Sequence, residues 1–217
     1  MTEEQLREEI CEVGRRMWQR NLVASNDGNI SVRLDDGTVL CTPTGVSKGF
    51  MKPEDICKLD ADGALISGPK PSIETPMHTW VYKARSDVRG AVHAHPPYAT
   101  AYASAGRSIP VDILTEMALG LGEIPLIEHG TPGSMDVPKL LGPVIEEHDV
   151  FLIANHGALT IGKDVLAAYM GMESVELCAQ TNFIAEQLGP SRLGDERLAT
   201  LREMREERIR SSRRQTE

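Results

Sequence analysis

GNISVRLDDGTVLCT (28–42) decides the architecture. GNISVRL and TVLCT read as strands, and the Asp36-Gly37 pair between them is a strong hairpin signal. Working outward, DICKLD (55–60) and ALIS (64–67) flank another Asp-Gly turn at 62–63, which predicts a second hairpin. Upstream, Leu6, Ile10, Val13 and Met17 recur at helical spacing over 3–20. Thr2 opens this amphipathic helix, and glutamates fill its first turn.

Downstream of a break at GPKPS (68–72) the pattern changes. Residues 74–85 predict a helix, with Pro76 in the first turn where its missing N–H costs nothing. RGAVHAH (89–95) predicts a strand stopped by Pro96-Pro97, and helices follow at 98–105 and 112–119. EIPLIE (123–128) is a short strand, 137–147 a helix, and DVFLIAN (149–155) the most apolar strand, followed by HGALTIG (156–162). A long helix spans 164–187 and a charged one 194–213. Helix, then antiparallel strands, then strands mixed with helices predicts an α/β fold. The expectation is a single three-layer α/β/α domain over 1–217 with a mixed, mainly antiparallel central sheet, and a charged C-terminal helix and tail over about 190–217. There is no regular βαβ series and no GxGxxG, which argues against dinucleotide binding.

The bulk numbers narrow the function classes. A net charge of -9, from 23 Lys+Arg against 32 Asp+Glu, disfavours nucleic acid and anionic membranes as partners. Aromatic residues are 4% of the chain, so the core must be mainly aliphatic. MTEEQLREEI has no signal-peptide character, and no apolar run approaches a membrane span. Cys11, Cys41, Cys57 and Cys178 show no CxxC spacing and read as buried, reduced thiols, so the expected location is the cytoplasm. Arginines 192, 197, 202, 205, 208, 210, 213 and 214, interleaved with Glu203, Glu206 and Glu207, read as a solvated helix.

His93 and His95 stand two apart on a strand, so both face one way. The strand is otherwise apolar, and an unpartnered imidazole pair there is costly. His156 ends the apolar strand, where sites in α/β folds collect. Three histidines with an open position is the donor set of a catalytic zinc centre. Spacing alone leaves open both this reading and that of three unrelated histidines. His78, His129 and His148 read as ordinary residues, with His78 on the helix as a core residue or a support for the site. Glu74 reads either as a first-turn acid in a cap set by Ser72, or as a general acid/base facing the metal. GNIS (28–31), TPTGVSKG (42–49) and Pro71-Ser72 either cradle a phosphate, with Lys48 adding charge, or simply make turns.

Taken in order, GNIS (28–31), TPTG (42–45), PSIETPMH (71–78), AVHAHPPYATA (91–101) and NHGALTIG (155–162) resemble the class II aldolase/adducin superfamily, in particular its L-fuculose-1-phosphate aldolase branch. The resemblance runs from the first helix to about residue 185 and implies a homotetramer with sites at subunit interfaces. It implies Zn²⁺, with Mn²⁺ or Co²⁺ as alternatives, held by His93, His95 and His156. It also implies Glu74 as acid/base and resting-state ligand, and Asn29, Thr44, Gly45 and Ser72 around a substrate phosphate. The implied reaction is retro-aldol cleavage of a ketose 1-phosphate to dihydroxyacetone phosphate and an aldehyde.

The chain departs from the branch in two places. Ile73 stands where the family motif has a second serine, which removes a hydroxyl from the phosphate site. The aldolase tyrosines have no match: 112–119 read DILTEMAL, with Glu116 the nearest polar candidate for a substrate contact, and no tyrosine follows Tyr169. The group that exchanges the proton at the aldehyde oxygen is therefore unassigned. The alternatives are a decarboxylase of a small hydroxyacid or a sugar-phosphate epimerase of the same superfamily, the epimerase disfavoured by Glu74, where its branch has Asp. A non-catalytic binding module, as in the adducin head, is the third.

Overall fold

The computed structural model describes residues 1–214; positions 215–217 of the predicted tail lie outside the described residues. Both Asp-Gly hairpins form. The first joins β1 (Asn29–Arg33) to β2 (Val39–Cys41), and the second joins β3 (Cys57–Leu59) to β4 (Leu65–Ser67). They extend into one eight-stranded sheet with β5 (Gly90–Ala94), β6 (Leu126–Ile127), β7 (Val150–Ile153) and β8 (Gly157–Gly162). The strand order is β4-β3-β2-β1-β5-β8-β7-β6, antiparallel throughout except for the parallel β6–β7 edge. The mixed, mainly antiparallel sheet is thus as the sequence predicts.

Helices cover both faces. The helices are α1 (Glu3–Gln19), α2 (Thr75–Ala84), α3 (Pro97–Ser104), α4 (Thr115–Gly120), α5 (Asp136–Leu141), α6 (Val165–Leu188) and α7 (Asp195–Arg214). Thr2 caps α1 reciprocally with Gln5, satisfying two end N–H groups. Ile10, Val13 and Met17 of α1 join α3, α6 and the sheet residues Ile30, Val32, Val92 and Ala94 in one core layer. Met77, Val81 and Tyr82 of α2 join α5 and Ala91, Phe151, Leu159 and Ile161 in the other. Alternation along the strands therefore sends Asn29, Ser31 and His93 to the α2 side. No described helix is long and apolar enough to cross a membrane.

Several elements differ from the sequence expectation. HGALTIG forms β8, a central strand that the periodicity left unassigned. The helix expected over 112–119 starts only at Thr115, because Asp112 is tied to the segment after α6: its carbonyl accepts from Leu193 N (2.7 Å) and its carboxylate meets Arg192 (2.6 Å). The strand expected over 123–128 shrinks to Leu126–Ile127, with Pro125 lacking the N–H that pairing needs. The helix expected to reach 147 ends at Leu141, before Gly142-Pro143.

Phe151 is fully buried on β7, opposite Leu159 of β8. Phe151→Ala is expected to cost about 3–5 kcal/mol in urea unfolding. A loss below about 1 kcal/mol would mean that the α2-side layer does not support the sheet.

Candidate metal centre

Strand pairing gathers the histidines at one end of the sheet. His93 lies on β5 opposite Leu159 of β8, and His95 follows directly after the strand. β7 and β8 are joined by the turn Ala154, Asn155 and His156, which is closed by the His156 N–H on the Ile153 carbonyl (3.1 Å). Asn155 takes the left-handed conformation (φ 54), which Asn tolerates best among residues with a side chain. One nitrogen from each of His93, His95 and His156 falls within 4.8 Å of the others. Glu74, at the N-terminus of α2, closes the group: its carboxylate oxygens lie 3.2 Å from His93 Nε2 and 3.4 Å from His156 Nε2.

Neighbouring contacts decide which ring nitrogens are free. His93 Nδ1 donates to the Ala158 carbonyl (2.9 Å), so Nε2 presents a lone pair. His95 turns Nδ1 toward Asp27 (3.6 Å) and Nε2 toward His93 Nε2, 3.2 Å away. His156 Nδ1 is buried without a hydrogen-bond partner among the described residues. Lone pairs converging at 3.2 Å repel. A cation between them reverses that repulsion, so the donor set fits a divalent ion of the zinc type. In the bare chain a proton does part of this work. Burial lowers the His93 pKa, but the Glu74 carboxylate and the Ala158 carbonyl outweigh it and the net shift is upward. Burial and the charge at His93 push His95 down and His156 to about 4. Burial alone would raise the Glu74 pKa, yet His93, His156 and the Asn29 amide pull it far below the usual carboxylate range. Two neutral imidazoles beside an ionised carboxylate suit a metal ion, which would displace the proton on His93.

The expected phosphate residues are brought together in part. Loops 42–45 and 70–72 pair directly: Ser72 N donates to the Thr42 carbonyl (3.2 Å) and Thr44 N to the Lys70 carbonyl (3.1 Å). Thr44 and Gly45 are exposed. Ser72 Oγ accepts from Glu74 N (3.3 Å), but the N-cap position of α2 is Glu74 itself and carries no side-chain cap. Asn29 is buried and donates through Nδ2 to Glu74 Oε2 (2.8 Å). Lys48 does not supply surface charge. Its ammonium is buried and donates to the Asn26 (2.9 Å) and Val46 (2.7 Å) carbonyls, stapling two loops, and burial lowers its pKa to about 8. Glu116 is exposed on α4, and no hydrogen bond or ion pair joins it to the histidines among the described residues. Sequence reasoning missed Asp27 behind His95, and Ser31 and Tyr82 behind Asn29, where they join His78, read from the sequence as a core residue or a support for the site. The signal was there: Asn29 and Ser31 alternate on one face of β1, while His78 and Tyr82 stand one turn apart on α2.

Two outcomes follow. A Cβ on Gly157 would lie 2.3 Å from the Ala94 carbonyl and 2.7 Å from His95 Cδ2. Gly157→Ala is expected to displace His95 and weaken Zn²⁺ binding by about tenfold or more in calorimetry; unchanged affinity would remove His95 from the ligand set. The second concerns pH. Burial, with the charge at His93, lowers His78 to about 3 from an ordinary 6.5. Between those values only the unfolded chain takes up this proton, so the stability from this group is complete above pH 6.5 and is lost as pH falls toward 3. Metal-free protein is expected to lose at most about 3 kcal/mol through His78 on going from pH 6.5 to 4, read as the difference in urea midpoints from His78→Gln. Parallel pH profiles for the two proteins would contradict this.

Residues 8–183 match the family model of the Class II Aldolase and Adducin N-terminal domain. The chain is 33% identical over 180 residues to an L-fuculose phosphate aldolase of Methanococcus maripaludis, covering 83% of this chain and 97% of that one. It is 32% identical over 187 residues to a 3-oxo-tetronate 4-phosphate decarboxylase of Pectobacterium atrosepticum, covering 84% and 86%. The solved structure of YgbL from Klebsiella pneumoniae, named as an aldolase, epimerase or decarboxylase, superposes with a TM-score of 0.87 at 29% identity, covering 93% of this chain and 100% of that one. With the match spanning most of its length, the chain belongs to the class II aldolase and adducin N-terminal domain family, as its motifs predict.

Proposed function

We propose that the chain is a zinc-dependent lyase that cleaves a ketose 1-phosphate of the L-fuculose 1-phosphate type to dihydroxyacetone phosphate and an aldehyde. The observation that carries this reading is the Glu74 carboxylate within 3.4 Å of two imidazole nitrogens that, with His95, form a metal-type donor set. His93, His95 and His156 would hold a divalent ion, which when bound would supply Lewis-acid stabilisation of the negative charge developing beside the breaking C–C bond. The chain's own residues do the rest. Glu74, ionised and turned inward, exchanges the proton at the carbon left behind by the departing fragment. The 42–45 and 70–72 loops, with Asn29, anchor the phosphate, so that binding energy at the remote end orients the reacting carbon.

A specific observation favours a second reading, decarboxylation of a phosphorylated 3-oxo sugar acid. Retro-aldol cleavage needs a base for the hydroxyl that becomes the aldehyde, and the chain has no tyrosine after Tyr169 to serve there. Decarboxylation releases carbon dioxide and needs no such group. Ile73, in the serine position of the motif, is 58% exposed and alters the phosphate end of the site. For oligomeric state we propose the homotetramer. Met170, Leu177 and Ile184 recur every seven residues along the outer face of α6 and are exposed, an apolar stripe suited to burial against another copy.

Purified Zn²⁺-loaded protein is expected to release dihydroxyacetone phosphate from L-fuculose 1-phosphate, L-rhamnulose 1-phosphate or 5-deoxyribulose 1-phosphate. Carbon dioxide from 3-oxo-tetronate 4-phosphate instead selects the second reading, and silence on the whole panel sinks both. Glu74→Gln is expected to keep the metal and lose about a hundredfold or more in kcat. His95→Ala should lose metal and turnover together. Light scattering is expected to give a tetramer mass that Leu177→Glu reduces.

A further inference from the structure

Behind Glu74, four polar side chains lie in the apolar layer between β1 and α2. Ser31 and His78 are fully buried, Asn29 is 2% exposed and Tyr82 5%. They form one line: Tyr82 OH to Ser31 Oγ (2.7 Å), Ser31 Oγ to His78 Nδ1 (2.6 Å), His78 Nε2 to Asn29 Oδ1, and Asn29 Nδ2 to Glu74 Oε2 (2.8 Å). The charge at one end fixes the direction of every bond. An ionised carboxylate only accepts, so Asn29 must offer it an N–H. The amide oxygen then faces His78, and Nε2 must carry the proton. A neutral imidazole protonated at Nε2 has a bare Nδ1, which accepts the Ser31 hydroxyl. Ser31 in turn accepts from Tyr82. Each hydroxyl in the line, the His78 N–H and the Asn29 N–H that faces Glu74 thus finds an acceptor, as burial requires.

The opposite tautomer breaks this order. With the proton on Nδ1, His78 would offer a lone pair to Asn29, the amide would flip, and its oxygen would face the Glu74 carboxylate. We propose that His78 is a positioning residue: held as the Nε2-protonated neutral imidazole, it orients the Asn29 amide so that Glu74 stays turned toward His93 and His156. The effect on turnover rests on the reading of Glu74 as acid/base; the tautomer and the amide orientation do not.

Three variants separate direction from mere packing. Gln at 78 places an amide N–H near the position of Nε2 and keeps the donor to Asn29. Asn is too short to reach it, and Leu removes all polarity. With Zn²⁺ bound, His78→Gln is expected to stay within about threefold of the parent kcat, while His78→Asn and His78→Leu fall by about tenfold or more with KM and Zn²⁺ affinity nearly unchanged. Long-range ¹H–¹⁵N spectra of the metal-free protein supply a readout independent of activity. The ring missing from the His78→Gln spectrum is expected to show Nε2 protonated and Nδ1 bare from about pH 6 to 8. A ring protonated at Nδ1, or at both nitrogens, overturns the proposal whether or not a substrate has been found. Equal kcat in the Gln and Leu variants also overturns it. If Glu74→Gln itself turns over normally, the acid/base reading falls instead, while the spectra still decide the tautomer.

Discussion

The site depends on the pairing of β5 with β8. Five residue pairs, from Gly90 opposite Gly162 to Ala94 opposite Ala158, set that register. Side chains alternate along a strand, so a slip of one residue would turn His93 into the apolar layer beneath α1 and α6. It would also take the Ala158 carbonyl away from His93 Nδ1, and with it the contact that frees Nε2. The register is protected sterically. A Cβ at Gly90 would meet the Asp164 backbone at 2.4 Å, and one at Gly157 the Ala94 carbonyl at 2.3 Å. Gly90 at one end of the pairing and Gly157 just beyond the other therefore accept no side chain without a backbone shift. The same pairing carries β8 back to the turn that bears His156, which is how residues 93 and 156 come to share one end of the sheet.

Burying so much polarity costs free energy, and the arrangement shows how the cost is offset. Glu74 is 8% exposed and His93 is fully buried, so neither charge is solvated by bulk water. An isolated carboxylate there would protonate. The imidazoles and the Asn29 amide keep it ionised instead. The converse holds for His95 and His156, which burial and the charge at His93 hold neutral. The group is thus an ion pair with two spare lone-pair donors, a combination more useful to a metal ion than to the fold. Lys48 answers the same problem differently: its ammonium is satisfied by two carbonyls, and its role is to hold two loops together.

Much of this was legible in the sequence wherever a local rule had no competitor. The Asp-Gly hairpins, the capped first helix and the long α6 follow from turn chemistry and periodicity alone. The i, i+2 histidines carried their own geometric meaning, because a strand has only two faces. β8 was missed because HGALTIG opens on a turn that belongs to the site and has no polar punctuation of its own. The shortened α4 reflects a tertiary tie, from Leu193 to Asp112, that no window of sequence contains, whereas β6 is cut short by a local feature, the missing N–H of Pro125. Asp27, Ser31 and Tyr82 escaped for a related reason. Each becomes meaningful only when β1, α2 and β5 are placed side by side, which a one-dimensional pattern does not do.

The position of Ile73 shows where sequence and structure together bear on substrate choice. It directly precedes Glu74 and is 58% exposed, so an apolar, solvent-facing side chain stands next to the acid where the motif of the resembled branch has a hydroxyl. A Cβ on Gly133 would lie 2.9 Å from the Ile73 carbonyl, so the 130–134 loop packs against the backbone of this residue. Thr44 N is already committed to Lys70, and Asn29 gives its oxygen to His78 and one N–H to Glu74. The donors left for an anionic group are thus fewer than a count of polar residues in the three loops suggests. On the proposed readings, selectivity would then come less from the number of phosphate contacts than from what leaves when the C–C bond breaks. A departing carbon dioxide asks nothing further of the protein, whereas a departing aldehyde needs a proton acceptor that the chain beyond Tyr169 does not supply as tyrosine. On either proposed reaction the histidine group and Glu74 would do the same work, so residues outside that group would hold the difference between the two.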